Sequence, residues 1–149
     1  MFQISEKLLL TIWVGAMWSI GYIVTPVLFS MLEKHVAGNV AGQLFTIVSY
    51  IGIFAAVALI INILMQYGFN RRHWQLWTLF VMLVIVMIGQ FVFQPMMEEL
   101  KAAGLTGENA KRFGRLHGMA SGLFLVNSLA GLALVISGLN NKSVEQIRS

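Results

Sequence analysis

Cysteine is absent from the chain, which removes disulfides, thiolate metal sites and thiol nucleophiles together and leaves the redox compartment unreadable. Charge is scarce as well: 11% of the 149 residues are charged, against 58% hydrophobic. A domain folding in water needs more polar surface than that, so a soluble globular class is excluded. No hydrolytic triad, phosphate-cradling loop or dinucleotide fingerprint is present, because the glycines lie inside apolar runs with no strand before them. A conventional soluble-type enzyme is thereby excluded, although the activity itself is not fixed. Proline occurs only at positions 26 and 95, so neither of the two can be background.

What the chain does have is four long apolar runs, Leu8 to Leu32, Ala41 to Tyr67, Trp74 to Pro95 and Leu116 to Leu139. Each is long enough to cross a hydrocarbon core that takes about 20 helical residues. Their hydrophobicity does not alternate, which argues against barrel strands, and a lipid-embedded segment must otherwise be helical. The expected fold is all-α, a four-transmembrane-helix bundle in one membrane domain over residues 1–149. Its helices are expected near 8–32, 41–67, 74–95 and 107–139, with an amphipathic connection over 96–106. Lys7 precedes the first run as in a secretory signal, but the run is too long for one and its small-residue cleavage site is poor, so it is expected to remain as an anchor. The net charge of +4 is spread over the helix ends, which suits contact with the lipid bilayer better than nucleic acid, and no nucleic-acid partner is expected.

An even number of crossings places both termini on one side, here called A, with the His35 turn and the 96–115 connection on side B. The basic residues tie, with Lys7, Arg71, Arg72, Lys142 and Arg148 on side A and Lys34, Lys101, Lys111, Arg112 and Arg115 on side B. The compact Arg71-Arg72 pair, flanked by Tyr67, Trp74 and Trp77, tips side A towards the cytoplasm of a bacterial inner membrane. The chain also repeats itself. PVLFSMLEKHVAGNVAGQLF from Pro26 and PMMEELKAAGLTGENAKRF from Pro95 align Pro26 with Pro95, Gly38 with Gly107 and Ala41 with Ala110 at one offset. Two similar helical hairpins follow, each with a proline expected to kink or end its first helix near side B.

The stretch RLHGMASG carries two patterns at once. Gly114, Gly118 and Gly122 recur every four residues, and Gly15 with Ser19 answers in helix 1, so the expectation is close backbone packing between these helices. His117, Ser121, Phe124 and Ser128 share one helical face with Asn127 nearby, a polar stripe expected to point into the bundle. Gln43, Thr46 and Tyr50 of helix 2 lie at matching depth. A polar pocket of His117, Ser121, Asn127, Tyr50 and Gln43 is therefore the candidate site, walled at Pro26 and Pro95, with Asn62, Gln90 and Gln94 as further intramembrane amides. The competing reading is plain interhelical hydrogen bonding.

His117, His35 and Met96, with Met97, Met119, Glu98 and Glu99 near the same side, mix imidazole, thioether and carboxylate as copper ligands do. Their spacing follows no metal pattern, and nine methionines also suit an adaptable apolar core. Haem held by two histidines is the remaining cofactor option, with His35 and His117 as the only pair on one side.

The segments WVGAMWSIGYIVTPVLFSML, AGNVAGQLFTIVSYIG and RFGRLHGMASGLFLVNSLAGL resemble the small four-helix membrane proteins named after human transmembrane protein 205, a domain of unknown function. The resemblance runs from helix 1 to helix 4 and implies a compact bundle without an established activity. It implies a distant likeness to the four-helix units of copper-resistance protein D and of a haem-linked protoporphyrinogen oxidase, and carries over only His117, with Ser121 and Asn127. Three functions remain open at this point. One is metal or small-solute handling in the pocket, another a structural protein forming a homo-oligomer or partner complex, and the third a haem-bearing redox protein.

Overall fold

The structure, a computed structural model, describes the backbone of residues 2–67 and 74–145 and the side chains of residues 4–66 and 74–137. The Arg71-Arg72 pair lies outside the described residues, as do the side chains of Lys142 and Arg148. All described elements are helical: α1 Phe2–Trp18, α2 Thr25–Met31, α3 Lys34–Tyr67, α4 Trp74–Ile88, α5 Gln94–Ala102 and α6 Gly107–Glu145. Two π-helical segments, Ser19–Val24 and Gly89–Phe93, fuse α1 to α2 and α4 to α5. The result is four helices long and apolar enough to span a membrane, Ile4–Met31, Lys34–Gln66, Trp74–Ala102 and Gly107–Ser137. The protein is a multi-pass integral membrane protein, and its many outward-facing Ile, Leu, Val, Phe and Met side chains meet lipid.

Two boundaries differ from expectation. The second span begins at Lys34 rather than Ala41, because Lys34 to Val40 has no helix breaker stronger than Gly38 and joins the helix in polar surroundings where hydropathy is silent. The third span runs through Pro95 to Ala102, so the amphipathic 96–102 stretch is helix and the connection shrinks to Ala103–Thr106. Gly104 and Gly107 turn the chain there at φ +89° and +53°, where a side chain would be strained.

Neither proline ends its helix; of the kink or end expected from sequence, the structure excludes the end and places a local distortion just before each proline. A proline ring clashes with the carbonyl four residues back and offers no N–H. In both hairpins a π turn sits directly upstream and spreads those carbonyls. The Thr25 N–H reaches Ile20 O, the Gln94 N–H reaches Gly89 O, and both bonds span five residues. The Thr25 hydroxyl also donates to Ile20 O at 2.8 Å. Such adjustments let a transmembrane helix carry proline without unpaired backbone. The π segments fall at equivalent places in the repeat, so the two hairpins share a local distortion as well as a sequence pattern.

The buried core occupies the A half of the bundle, where Trp13, Met17, Val48, Ala55, Ala56, Leu59, Leu79, Met82 and Leu134 meet. Close approach is set by three glycines. A Cβ on Gly52 would collide with the Trp13 indole, one on Gly21 with the Phe124 ring, and one on Gly131 would lie 2.8 Å from Val14 Cγ2. Gly114, Gly118 and Gly122 are not used in this way, and neither is Gly15: among the described residues nothing comes within 4 Å of a Cβ placed on any of them. Their four-residue spacing makes a shallow groove. Whether a groove is filled depends on where a neighbour's bulky side chain sits, and the rings that need room lie opposite Gly21 and Gly52.

Candidate functional site

In the B half the four spans part around a cavity of about 450 Å³. Both π segments form its wall: Gly21 and Tyr22 on the first span, Gly89, Gln90 and Phe93 on the third. A π turn rotates side chains away from the regular helical face, so one distortion brings these neighbours onto the cavity. The second span contributes Phe45, Val48 and Ser49, and the fourth contributes His117, Ser121, Phe124 and Asn127. The floor is made by Trp13, Met17 and Asn127; Gln94, Met97 and His117 stand nearer side B.

Ser128 locks the first span to the fourth beside this cavity. Its hydroxyl meets Tyr22 OH at 2.7 Å, its carbonyl accepts the Trp18 indole N–H at 3.2 Å, and it is completely buried. The rings of Trp18, Tyr22, Phe124 and Phe45 follow one another in contact, with centroid separations of 4.9, 5.8 and 5.3 Å.

Asn127, only 2% exposed, has one weak partner: its Nδ2 donates to Met17 Sδ at 3.6 Å. A thioether sulfur accepts and does not donate, which turns Oδ1 the other way. Among the described residues that oxygen is buried without a hydrogen-bond partner, and so is the indole N–H of Trp13, a fully buried residue. An unsatisfied buried polar atom costs about 1–3 kcal/mol. Neither atom has surface open to the cavity, and the Trp13 N–H is turned against Gly52 of the second span.

The structure divides the pocket expected from sequence. His117, Ser121 and Asn127 line the cavity. Tyr50 does not: it is 55% exposed and packs edge-on against Phe91 at 6.5 Å. Gln43 is likewise exposed and away from the cavity, and Thr46 satisfies itself on Gly42 O at 3.0 Å. The face of the second span that turns inward is 45–48–49, one step round from 43–46–50. His117 is exposed at the cavity's edge, stacked on Phe113 with centroids 5.9 Å apart, and has no hydrogen bond to a described residue. The expected polar partner across the bundle is therefore not made.

The proposed metal set is not gathered either. His35 lies in the first turn of α3, 3.4 Å from Asn39 Nδ2 and off the cavity, while Met96 is exposed and its neighbour Met97 faces in. Among the described residues no three His, Asp or Glu side chains come together as metal ligands. No second histidine among them faces His117 across the cavity, so the paired-histidine haem geometry is not assembled.

Gln90 and Gln94 do line the cavity, and Gln94 Nε2 reaches Glu98 Oε1 at 3.4 Å. Glu98 also pairs with Lys101 at 2.9 Å, and the group lies over Gly42. On side A, Asn62 and Gln66 both donate to the Glu6 carboxylate. Sequence reasoning missed Trp13 and Tyr22 as site residues, because an aromatic in an apolar run gives no sign of whether its polar atom finds a partner. Pro26 was a usable signal for Tyr22, had the π turn that accompanies it been anticipated.

None of the curated proteins and none of the solved structures matches the chain. One family does, over residues 8–106, which carry most of the first three spans and therefore both π segments, both prolines and Trp13. His117, Ser121 and Asn127 lie beyond the matched region, on the fourth span. By that match the chain belongs to the family described as a domain of unknown function, DUF4149.

Proposed function

We propose that this membrane protein holds a small solute in the cavity of its B half. The observation that carries the reading is the cavity itself: about 450 Å³ between the four spans, walled mostly by apolar and aromatic side chains with Ser49, Gln90, Gln94 and Ser121 among them. Ligand sites of that size, mostly apolar with a few converging polar groups, are commonly built between helices of bundles. A bundle needing only helix packing gains nothing from leaving the space empty. The resemblance to the transmembrane protein 205 proteins fits this reading, and the residues it carries over, His117, Ser121 and Asn127, are the fourth span's polar share of the wall. With side A cytoplasmic, the cavity lies in the outward half of a bacterial inner membrane.

The lack of native cysteine makes the test simple, since every introduced thiol is the only one present. Ser49→Cys and Ser121→Cys, both on the cavity wall, are expected to react with a small charged methanethiosulfonate in sealed vesicles, from one side only. Ser128→Cys, fully buried, is expected to stay unlabelled. Protection of Ser49→Cys equal to that of Ser128→Cys means a closed, side-chain-filled interior and defeats the proposal. The side from which labelling occurs also reports the orientation.

A second reading, self-association, is favoured by the unoccupied glycine groove of the fourth span, because small residues facing lipid let another backbone approach. Gly118→Cys is then expected to give an oxidatively cross-linked dimer, while Val84→Cys on the lipid face of the third span does not. Equal cross-linking at both positions indicates random collision.

A further inference from the structure

We propose that the side-B end of the fourth span binds one acidic phospholipid, with its phosphate on Lys111, Arg112 and Arg115 and an acyl chain laid along Gly118 and Gly122. None of these residues lines the cavity.

The charges select the occupant. α6 opens at Gly107, before its apolar run, and Arg115 is the last charged residue before that run begins at Leu116. The three cations therefore stand where lipid headgroups meet the span, and all three are exposed. Lys111 and Arg115 are four positions apart and Arg112 and Arg115 three, which makes them neighbours on a helix, with side chains long enough to reach one phosphate. Like charges at that spacing repel. Among the described residues none of the three forms an ion pair. Nor do the nearby acids neutralise them: on α5, which packs against α6, Glu98 is taken by Lys101, and neither Glu99 nor Glu108 of the first turn of α6 pairs with a described cation. A phosphate from the bilayer removes the repulsion and supplies the partner.

The face below the charges follows the order of a lipid's parts. Positions 111, 115, 118 and 122 are spaced i, i+4, i+7 and i+11, one helical face, and each is exposed. Under the cations come Gly118 and Gly122, where among the described residues nothing lies within 4 Å of an added Cβ. Then come the exposed apolar side chains of Leu125, Val126 and Leu129. From Arg115 to Leu125 the helix rises about 15 Å, half of a hydrocarbon core of about 30 Å, so an acyl chain in that groove stays within one leaflet.

A second copy is the competing occupant, since small residues also admit a neighbouring helix. Copies in one membrane share an orientation, so a two-fold contact through this groove sets Lys111 and Arg115 against their own counterparts. Glu108, a turn further out, is the one described acid of α6 available to offset them. The cations thus disfavour a second copy and complement a phosphate.

With no native cysteine in the chain, Met119→Cys, exposed beside the groove, carries bimane as the only label. The full chain in phosphatidylcholine nanodiscs is titrated with phosphatidylglycerol or phosphatidylcholine bearing a nitroxide at mid-chain, and bimane quenching reports a lipid in the groove. The phosphatidylglycerol probe is expected to reach half-maximal quenching at about tenfold lower mole fraction, in keeping with two or three cations at the surface. Added salt is expected to shrink that preference. Replacing Lys111, Arg112 and Arg115 together by Gln is expected to bring the ratio close to one, whereas Lys34→Gln, at the same side on the second span, leaves it unchanged. Gly118→Leu, which fills the groove and keeps the charges, is expected to weaken quenching by both probes. Should the triple variant fail to fold, the salt series on the native charges still decides. Equal quenching by the two probes, a preference that survives loss of the cations or high salt, or quenching untouched by Gly118→Leu overturns the proposal. So does displacement of the lipid by inorganic phosphate against chloride of matched ionic strength, which marks a site for a free anion. A Gly118→Cys cross-linked dimer exceeding that of Val84→Cys assigns the groove to a second copy and overturns it as well.

Discussion

Gly52→Ala is expected to destabilise the protein by about 1–3 kcal/mol, the range found when a methyl group is forced into a filled interior. The added Cβ would coincide with the Trp13 indole, and that indole is completely enclosed, so it has no free space to swing into. Relief requires the first and second spans to move apart in the densest part of the bundle. Gly118→Ala adds the same methyl group on the same kind of helix where no described residue lies within 4 Å. It is expected to be neutral, or stabilising by a few tenths to about 1 kcal/mol, since alanine restricts the unfolded backbone and favours helix. Reversible unfolding in mixed detergent micelles measures both. Trp13→Phe added to Gly52→Ala is expected to recover part of the loss, because the smaller ring vacates the contested volume, and the coupling appears as non-additivity in a double-mutant cycle. Equal effects at Gly52 and Gly118 would mean that the first two spans do not approach each other as described.

Opposite signs are expected at two adjacent polar residues of the fourth span. Asn127→Leu is expected to raise stability by about 1–2 kcal/mol in ligand-free protein. It removes a buried oxygen that has no partner among the described residues, fills nearly the same volume, and gives up only a long N–H···S contact. Ser128→Ala is expected to lower stability by about 0.5–1.5 kcal/mol, because it strips the Tyr22 hydroxyl of its partner on the neighbouring span. Unfolding free energies of the two variants, in the same micelles, check the pair. A polar residue whose removal stabilises the fold is one retained for something other than folding, and such stability deficits gather at binding sites. If Asn127→Leu destabilises instead, its amide is satisfied within the protein.

These two expectations also show how unevenly the sequence spoke. The count of spans, their helical nature and their two-hairpin organisation follow from apolar run length and from the repeat around Pro26 and Pro95, since a backbone in lipid has few ways to satisfy itself. Helical periodicity grouped His117, Ser121 and Asn127, and all three line the cavity, although His117 and Ser121 are exposed at its edge and only Asn127 is buried. Tyr50 and Gln43 were not placed correctly, because depth in the membrane can be counted along a helix whereas the azimuth of one helix against another cannot. The helical extensions at Lys34–Val40 and Met96–Ala102 were missed for a related reason: hydropathy marks the membrane, and these helices outrun it.

By itself, then, the sequence determined solvent, secondary structure and approximate depth, all of which follow from local composition and a period of 3.6 residues. Only the tertiary structure decided which glycines meet a neighbour, that both prolines ride on π turns, and that a donor on Trp13 and an acceptor on Asn127 are buried without a partner among the described residues. Each of these depends on which side chain of one span faces which of another. That is fixed by the packing of Trp13 against Gly52 and of Phe124 against Gly21, which no single helix encodes.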